Sequence, residues 1–123
     1  METIYESELC DVSYIENKNL VFVKWKKYCE FGSYRKPLMV ALQVIKDHKS
    51  DYVADTRNGF ENHPEDTKWV ADYFMPKAVE YGCKVIYFII DKDNLLKDEL
   101  ERQANNSADI ISFRFIYDID AIE

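Results

Sequence analysis

The fold is decided by the stretch Val-Ile-Tyr-Phe-Ile-Ile at residues 85–90, which polar residues bound on both sides. The run is far too short to span a bilayer. A strand carries apolar side chains at every position when both faces of its sheet are covered, as in the centre of a parallel sheet. The stretch therefore predicts a central parallel strand of an α/β domain, with parallel neighbours around Val53 and Phe113.

The segment before this strand predicts a helix, because it begins and ends with residues that are typical of helix termini. Pro64 suits a first helical position, where a missing N–H costs little, and Gly82 suits a helix end. Pro76 lies inside and cannot donate to the carbonyl of Asp72. We therefore expect the helix to bend or divide at Pro76, with Trp69 substantially buried.

Further upstream, residues 51–55 predict a short strand, preceded by a helix with Ser33 as its N-cap. The buried face of that helix is predicted from apolar residues at helical spacing: Tyr34, Leu38, Ala41, Leu42 and Ile45. Residues 12–14 and 20–26 predict a hairpin around the polar turn at residues 16–19. Residues 3–9 predict a preceding edge strand.

Downstream, residues 95–104 predict a short amphipathic helix and residues 119–123 the beginning of a terminal one. Residues 110–117 alternate apolar and polar side chains, which is typical of a half-exposed strand near a sheet edge. With right-handed crossovers, this order gives an α/β fold: a mixed, mostly parallel sheet with an N-terminal antiparallel hairpin and helices on its faces. One domain accounts for residues 1–123.

The net charge and the cysteine content argue against several classes of function for this protein and indicate its compartment. The net charge of −7 disfavours binding to nucleic acid or to an anionic membrane. Three cysteines without a CxxC pair do not suggest a disulfide framework, and Cys83 is interpreted as a small buried apolar residue. The N-terminus has no basic segment followed by an apolar run, so we expect a cytoplasmic protein.

Several segments together resemble a known family. They are the strand Val21-x-Val23-x-Trp25, Val-Ala-Asp-Thr-Arg-Asn at residues 53–58, Pro-Glu-Asp at 64–66 followed by Trp69, and Phe-Met-Pro-Lys-Ala at 74–78. From about residue 11 to residue 121, the chain is similar to the small bacterial STAS-like proteins. These are relatives of the anti-sigma factor antagonists and have been compared with the CRAL-TRIO lipid-binding fold.

The resemblance implies a non-enzymatic module that binds a partner protein or a small ligand. The antagonists carry an Asp-Ser-Ser-Gly type segment at the start of the second helix, and a partner kinase phosphorylates its serine. Here residues 62–67 read Asn-His-Pro-Glu-Asp-Thr, without serine and with two acids. The phosphorylation switch is therefore not carried over to this chain.

Candidate binding residues follow from the rule that ligands gather at the carboxyl ends of parallel strands. The rule selects the loops after residues 51–55 and 85–90, with the candidates Asp55, Thr56, Arg57, Phe60 and Asp91. Asp55 and Arg57 offer an acceptor and a forked donor to a polar ligand. The alternative is that they pair with each other. We predict this loop and the start of the second helix as the recognition surface.

Trp69 is the remaining candidate, since Trp69 and Tyr73 at helical spacing form either core or a ligand platform. A gap beneath the helix near Pro76 would admit an apolar ligand. His48 and His63 do not lie at metal-ligand spacing from another histidine or a cysteine, and His63 is interpreted as a capping or exposed residue.

These observations lead to a functional prediction with one alternative. We expect a non-catalytic cytoplasmic module that binds a protein partner, without cofactor or metal; self-association remains open. The alternative is a carrier or sensor of a small apolar ligand held beneath the second helix. A hydrolase built from scattered Cys, His and Asp residues finds no support in their spacing.

Overall fold

The computed structural model describes residues 2–27, 31–57, 63–90 and 111–119. In these residues six strands form one mixed sheet in sequential order: the first three strands pair antiparallel, and each strand from the third to the sixth pairs in parallel with the next. The strands are β1 (Glu2–Glu6), β2 (Cys10–Ile15), β3 (Leu20–Trp25), β4 (Asp51–Asp55), β5 (Val85–Ile89) and β6 (Ser112–Ile116). The helices are α1 (Gly32–His48), α2 (Pro64–Trp69) and α3 (Met75–Glu80), with a 3₁₀ turn at Glu16–Lys18 and a π-helical turn at Val70–Phe74.

The predicted fold class is confirmed, and so is the position of the deciding stretch. β5 pairs in parallel with β4, where Val53 lies opposite Tyr87, and with β6, where Phe113 lies opposite Ile86. The N-terminal hairpin is antiparallel, as its turn residues predict. The predicted helix at residues 95–104 and the C-terminal residues 120–123 lie outside the described residues.

The described helices share one face of the sheet. Apolar residues of α1, the π-helical turn and α3 form a single buried cluster with Val21, Ala54 and Phe88 of the strands. Successive crossovers of one hand that advance in one direction along a sheet place their helices on the same face. The opposite face has a smaller cluster that includes Leu20, Val53 and Ile89.

The start of α1 differs from the sequence prediction. Ser33 is not the N-cap: α1 begins at Gly32, and Phe31 takes the cap position without a side-chain cap. The Phe31 N–H instead donates to Asp66 Oδ2, at 2.8 Å. A distant carboxylate thus replaces the local cap, while the buried face predicted for α1 is confirmed.

The helical stretch from Pro64 to Glu80 is divided, as Pro76 predicts. The division is a π-helical turn, in which the Met75 N–H donates to the Val70 carbonyl five residues earlier. Because the bonding pattern changes immediately before Pro76, the proline lies in the first turn of α3, where no N–H is needed. Trp69 is largely buried and packs against the core, as predicted.

Candidate functional site

In the described part of the predicted recognition loop, at the end of β4, the candidate side chains are already hydrogen-bonded. Asp55 is 3% exposed and accepts from Arg57 through Nε at 3.0 Å, Nη2 at 2.8 Å and the backbone N–H at 3.1 Å. Thr56 donates from its hydroxyl to the Ile89 carbonyl, at 2.8 Å. The alternative that Asp55 and Arg57 pair with each other is therefore the observed one. Phe60 and Asp91 lie outside the described residues.

A second polar centre lies where the beginnings of α1 and α2 meet. The Asp66 side chain is fully buried and accepts from the Phe31 N–H at 2.8 Å and from Arg35 Nε at 2.9 Å. Asp66 therefore ties α2 to α1. Because a buried carboxylate is costly unless paired, these two donors fix the junction between the helices.

Phe31 is held in an unfavourable backbone conformation beside this centre. Its φ is 50° and its ψ is −125°, a region that a bulky residue rarely adopts. Phe31 as a whole is 40% exposed, and the centre of its ring lies 4.7 Å from that of the His63 ring. His63 Nδ1 accepts from the Glu65 N–H at 3.2 Å, which confirms its predicted role as a cap.

The contacts continue from Arg35 along the second helix. The Arg35 guanidinium carbon lies 5.4 Å from the centre of the Trp69 ring. The Tyr73 ring stacks on that of Trp69 with centroids 5.4 Å apart, and Tyr73 as a residue is 38% exposed. We call the five residues Phe31, His63, Arg35, Trp69 and Tyr73 the aromatic ridge. It is a continuous string of partly exposed side chains joined through Asp66.

The sequence identified only part of this ridge. Trp69 and Tyr73 were noted for their helical spacing, and His63 as a cap. No sequence pattern indicated a role for Phe31 or Arg35 at this site, because their positions depend on Asp66, which is 35 and 31 residues away in the chain. No local pattern indicates such a pairing.

A cavity of about 20 Å³ lies beneath the π-helical turn, where the sequence predicted a gap. Val70, Phe74 and Met75 line it from above, and Leu38 and Tyr52 are among the residues on its other sides. A space of this volume accommodates about one water molecule. The position was thus predicted correctly, but in this conformation there is no room for an apolar ligand.

Two buried titratable groups in the core, Cys83 and Tyr52, are held in their neutral forms. Burial raises the pKa of the Cys83 thiol to about 12 and raises the pKa of the Tyr52 hydroxyl well above its ordinary value. A thiol with such a pKa is a poor nucleophile near neutral pH, because the thiolate is the reactive form. In the described part of the chain, no three His, Cys, Asp or Glu residues cluster as metal ligands would.

Comparison with known proteins adds no assignment: no family model, curated protein or solved structure matches this chain. Among the described helices, none has both the length and the apolar character of a membrane-spanning segment.

Proposed function

We propose that this chain is a non-catalytic, STAS-like binding module of the cytoplasm that recognises a protein partner through its aromatic ridge. The observation that carries the proposal is Phe31, an apolar ring kept at the surface on a strained backbone. Strain of this kind costs about 1–3 kcal/mol and persists only where the surroundings enforce it. Here the enforcing group is the buried carboxylate of Asp66.

The composition of the ridge supports a protein partner. Tryptophan, tyrosine and arginine are the side chains that contribute most often to binding energy in protein interfaces. Tyr73 and Arg35 already contact the Trp69 ring, and Arg35 is also bonded to Asp66. Ordering a free side chain on binding costs about 0.5–1.5 kcal/mol, so this existing order favours association.

The alternative of an apolar-ligand carrier has weaker support. Its ligand would have to enlarge the cavity of about 20 Å³ beneath the π-helical turn by separating well-packed side chains. The Asp55–Arg57 loop is also a weaker candidate than the ridge, since the Asp55 carboxylate already binds Arg57. Both observations favour the ridge as the recognition surface.

Site-specific photo-crosslinking in cells that naturally express the protein tests this proposal. A photoreactive phenylalanine analogue is placed at Tyr73 and, as a matched control, at Ile4, which has a similar exposure of 42%. We expect a discrete adduct with another protein at Tyr73 but not at Ile4, and its loss when Phe31→Gly is added. The same adducts at both positions, or none at Tyr73, would contradict the proposal.

A further inference from the structure

The outer part of the aromatic ridge combines an open ring with carboxylates that have no recorded partner. Tyr73 stacks on Trp69 and keeps 38% of its surface exposed. Glu65 and Asp72 are exposed on the same helical stretch, and neither side chain forms an ion pair or hydrogen bond with the described residues. Residues 65, 69 and 73 follow at intervals of four, which places them along about one helical face.

The unpaired charge on this helical stretch is negative. Arg35 is neutralised by Asp66, and Lys77 by Glu80 at 3.4 Å. Lys68 is the exposed cation between Glu65 and Asp72 in the sequence, so the acids remain in excess there. The net charge of the whole chain, −7, extends the same sign over a longer range. An approaching cationic segment is therefore attracted, and an acidic one is repelled.

The ridge already shows how such a cation can be held. Arg35 donates to a carboxylate at 2.9 Å while its guanidinium lies over the Trp69 ring. A guanidinium suits this arrangement because it is planar, stacks on aromatic faces and binds carboxylates through a fork of donors. Tyr73 offers an exposed ring on this face, and Asp72, one residue earlier, offers a carboxylate on the adjoining face.

From these contacts we infer that the partner presents an arginine from a basic segment, which stacks on Tyr73 and pairs with Asp72. This inference rests on the proposed function, and it adds the chemistry of the partner. An arginine at this position would extend the stack that Arg35, Trp69 and Tyr73 begin.

The inference can be tested with synthetic peptides and the full-length chain. The probe is a nine-residue Gly/Ser peptide with two central arginines, and matched peptides carry citrulline, lysine or glutamate at those positions. Binding is followed by NMR through the indole N–H signal of Trp69 and by titration at low and physiological salt. We expect affinity to fall from arginine to lysine to citrulline, with no binding of the glutamate peptide and with weaker binding at higher salt.

Variants of the protein locate the contact. Tyr73→Leu and Asp72→Asn should each weaken binding of the arginine peptide about two- to fivefold, the effect of an exposed cation–π or ionic contact. Asp47→Asn is the matched control: it removes the same charge from an exposed carboxylate at the far end of α1 and should change affinity less.

Three results would overturn the inference: no binding of the arginine peptide, equal binding of the citrulline peptide, or equal effects of Asp72→Asn and Asp47→Asn. A Tyr73 adduct that persists in cells alongside any of these results would show an interface for a partner of different chemistry. Loss of the adduct as well would also remove the proposed function.

Discussion

Replacing Phe31 with glycine should stabilise the fold relative to replacing it with alanine. Both variants remove the ring and its contact with His63, so that loss cancels in the comparison. They differ in the backbone, because alanine remains strained at a φ of 50° whereas glycine adopts that conformation readily. The difference between the two variants therefore measures the strain at this position.

The magnitude follows from two opposing contributions. Relief of strain favours glycine by about 1–3 kcal/mol. The greater freedom of glycine in the unfolded chain opposes this by about 0.5–1 kcal/mol. Taking the midpoints of the two ranges, the glycine variant should be more stable by roughly 1 kcal/mol. This corresponds to a midpoint of thermal unfolding higher by about 4 °C for a chain of this size.

Thermal and urea unfolding of the two variants, monitored by circular dichroism, measure this difference. Met39 provides the control, since it is a similarly exposed apolar residue (43%) inside α1. There the order should be reversed, with glycine less stable than alanine by about 1 kcal/mol. If Phe31→Ala melted at or above Phe31→Gly, the backbone at this position would not be strained and the main support for the proposed function would fail.

Four further outcomes are expected. Asp66→Ala should lower the free energy of unfolding by about 3 kcal/mol in urea titrations, because it leaves Arg35 and the Phe31 N–H without their acceptor. A loss below about 1 kcal/mol would contradict the role of Asp66 in holding α2 against α1. Arg57→Ala should cost about 1 kcal/mol without weakening partner binding, since the 41% exposed Arg57 side chain pairs with Asp55; impaired crosslinking at an unchanged melting temperature would restore the loop as a recognition surface. Leu38→Ala should cost about 3 kcal/mol by enlarging the cavity, and added benzene should recover part of that loss; no recovery would indicate that the surrounding side chains collapse. Burial raises the pKa of the Cys83 thiol to about 12 from an ordinary 9.0, so between these pH values the folded chain retains a proton that the unfolded chain releases. The free energy of unfolding should therefore be unaffected by this group below about pH 9 and should decline towards pH 12. Cys83 should also resist thiol reagents at about pH 8 unless the protein is unfolded.

The outline of the fold could be predicted because it is encoded in local patterns. The continuous apolar run at residues 85–90 identified β5 as a central strand, and the polar turn at residues 16–19 identified the hairpin. Pro76 predicts a divided helix, but the sequence does not indicate that the division is a π-helical turn. Val70 and Phe74, which belong to that turn, are both buried in the core.

The candidate site was predicted less well than the fold, and the reason is sequence distance. Asp55 and Arg57 were chosen by their position at a strand end, yet their separation of two residues allows them to satisfy each other. The sequence of this loop is equally consistent with ligand binding by Asp55 and Arg57 and with an ion pair between them. Only the geometry of the loop distinguishes them.

The sequence alone determined the α/β class, the strand directions and most of the buried faces, because these follow from the period of apolar residues and from the positions of proline, glycine and turn residues. Only the tertiary structure determines the burial and the hydrogen-bond partners of Asp66. Its carboxylate is buried against residues 31 and 35 positions earlier, and there it sets the start of α1, the strained backbone of Phe31 and the position of Arg35 over Trp69. A charge buried among groups so distant in the chain is fixed by the packing of whole elements, which no local pattern records.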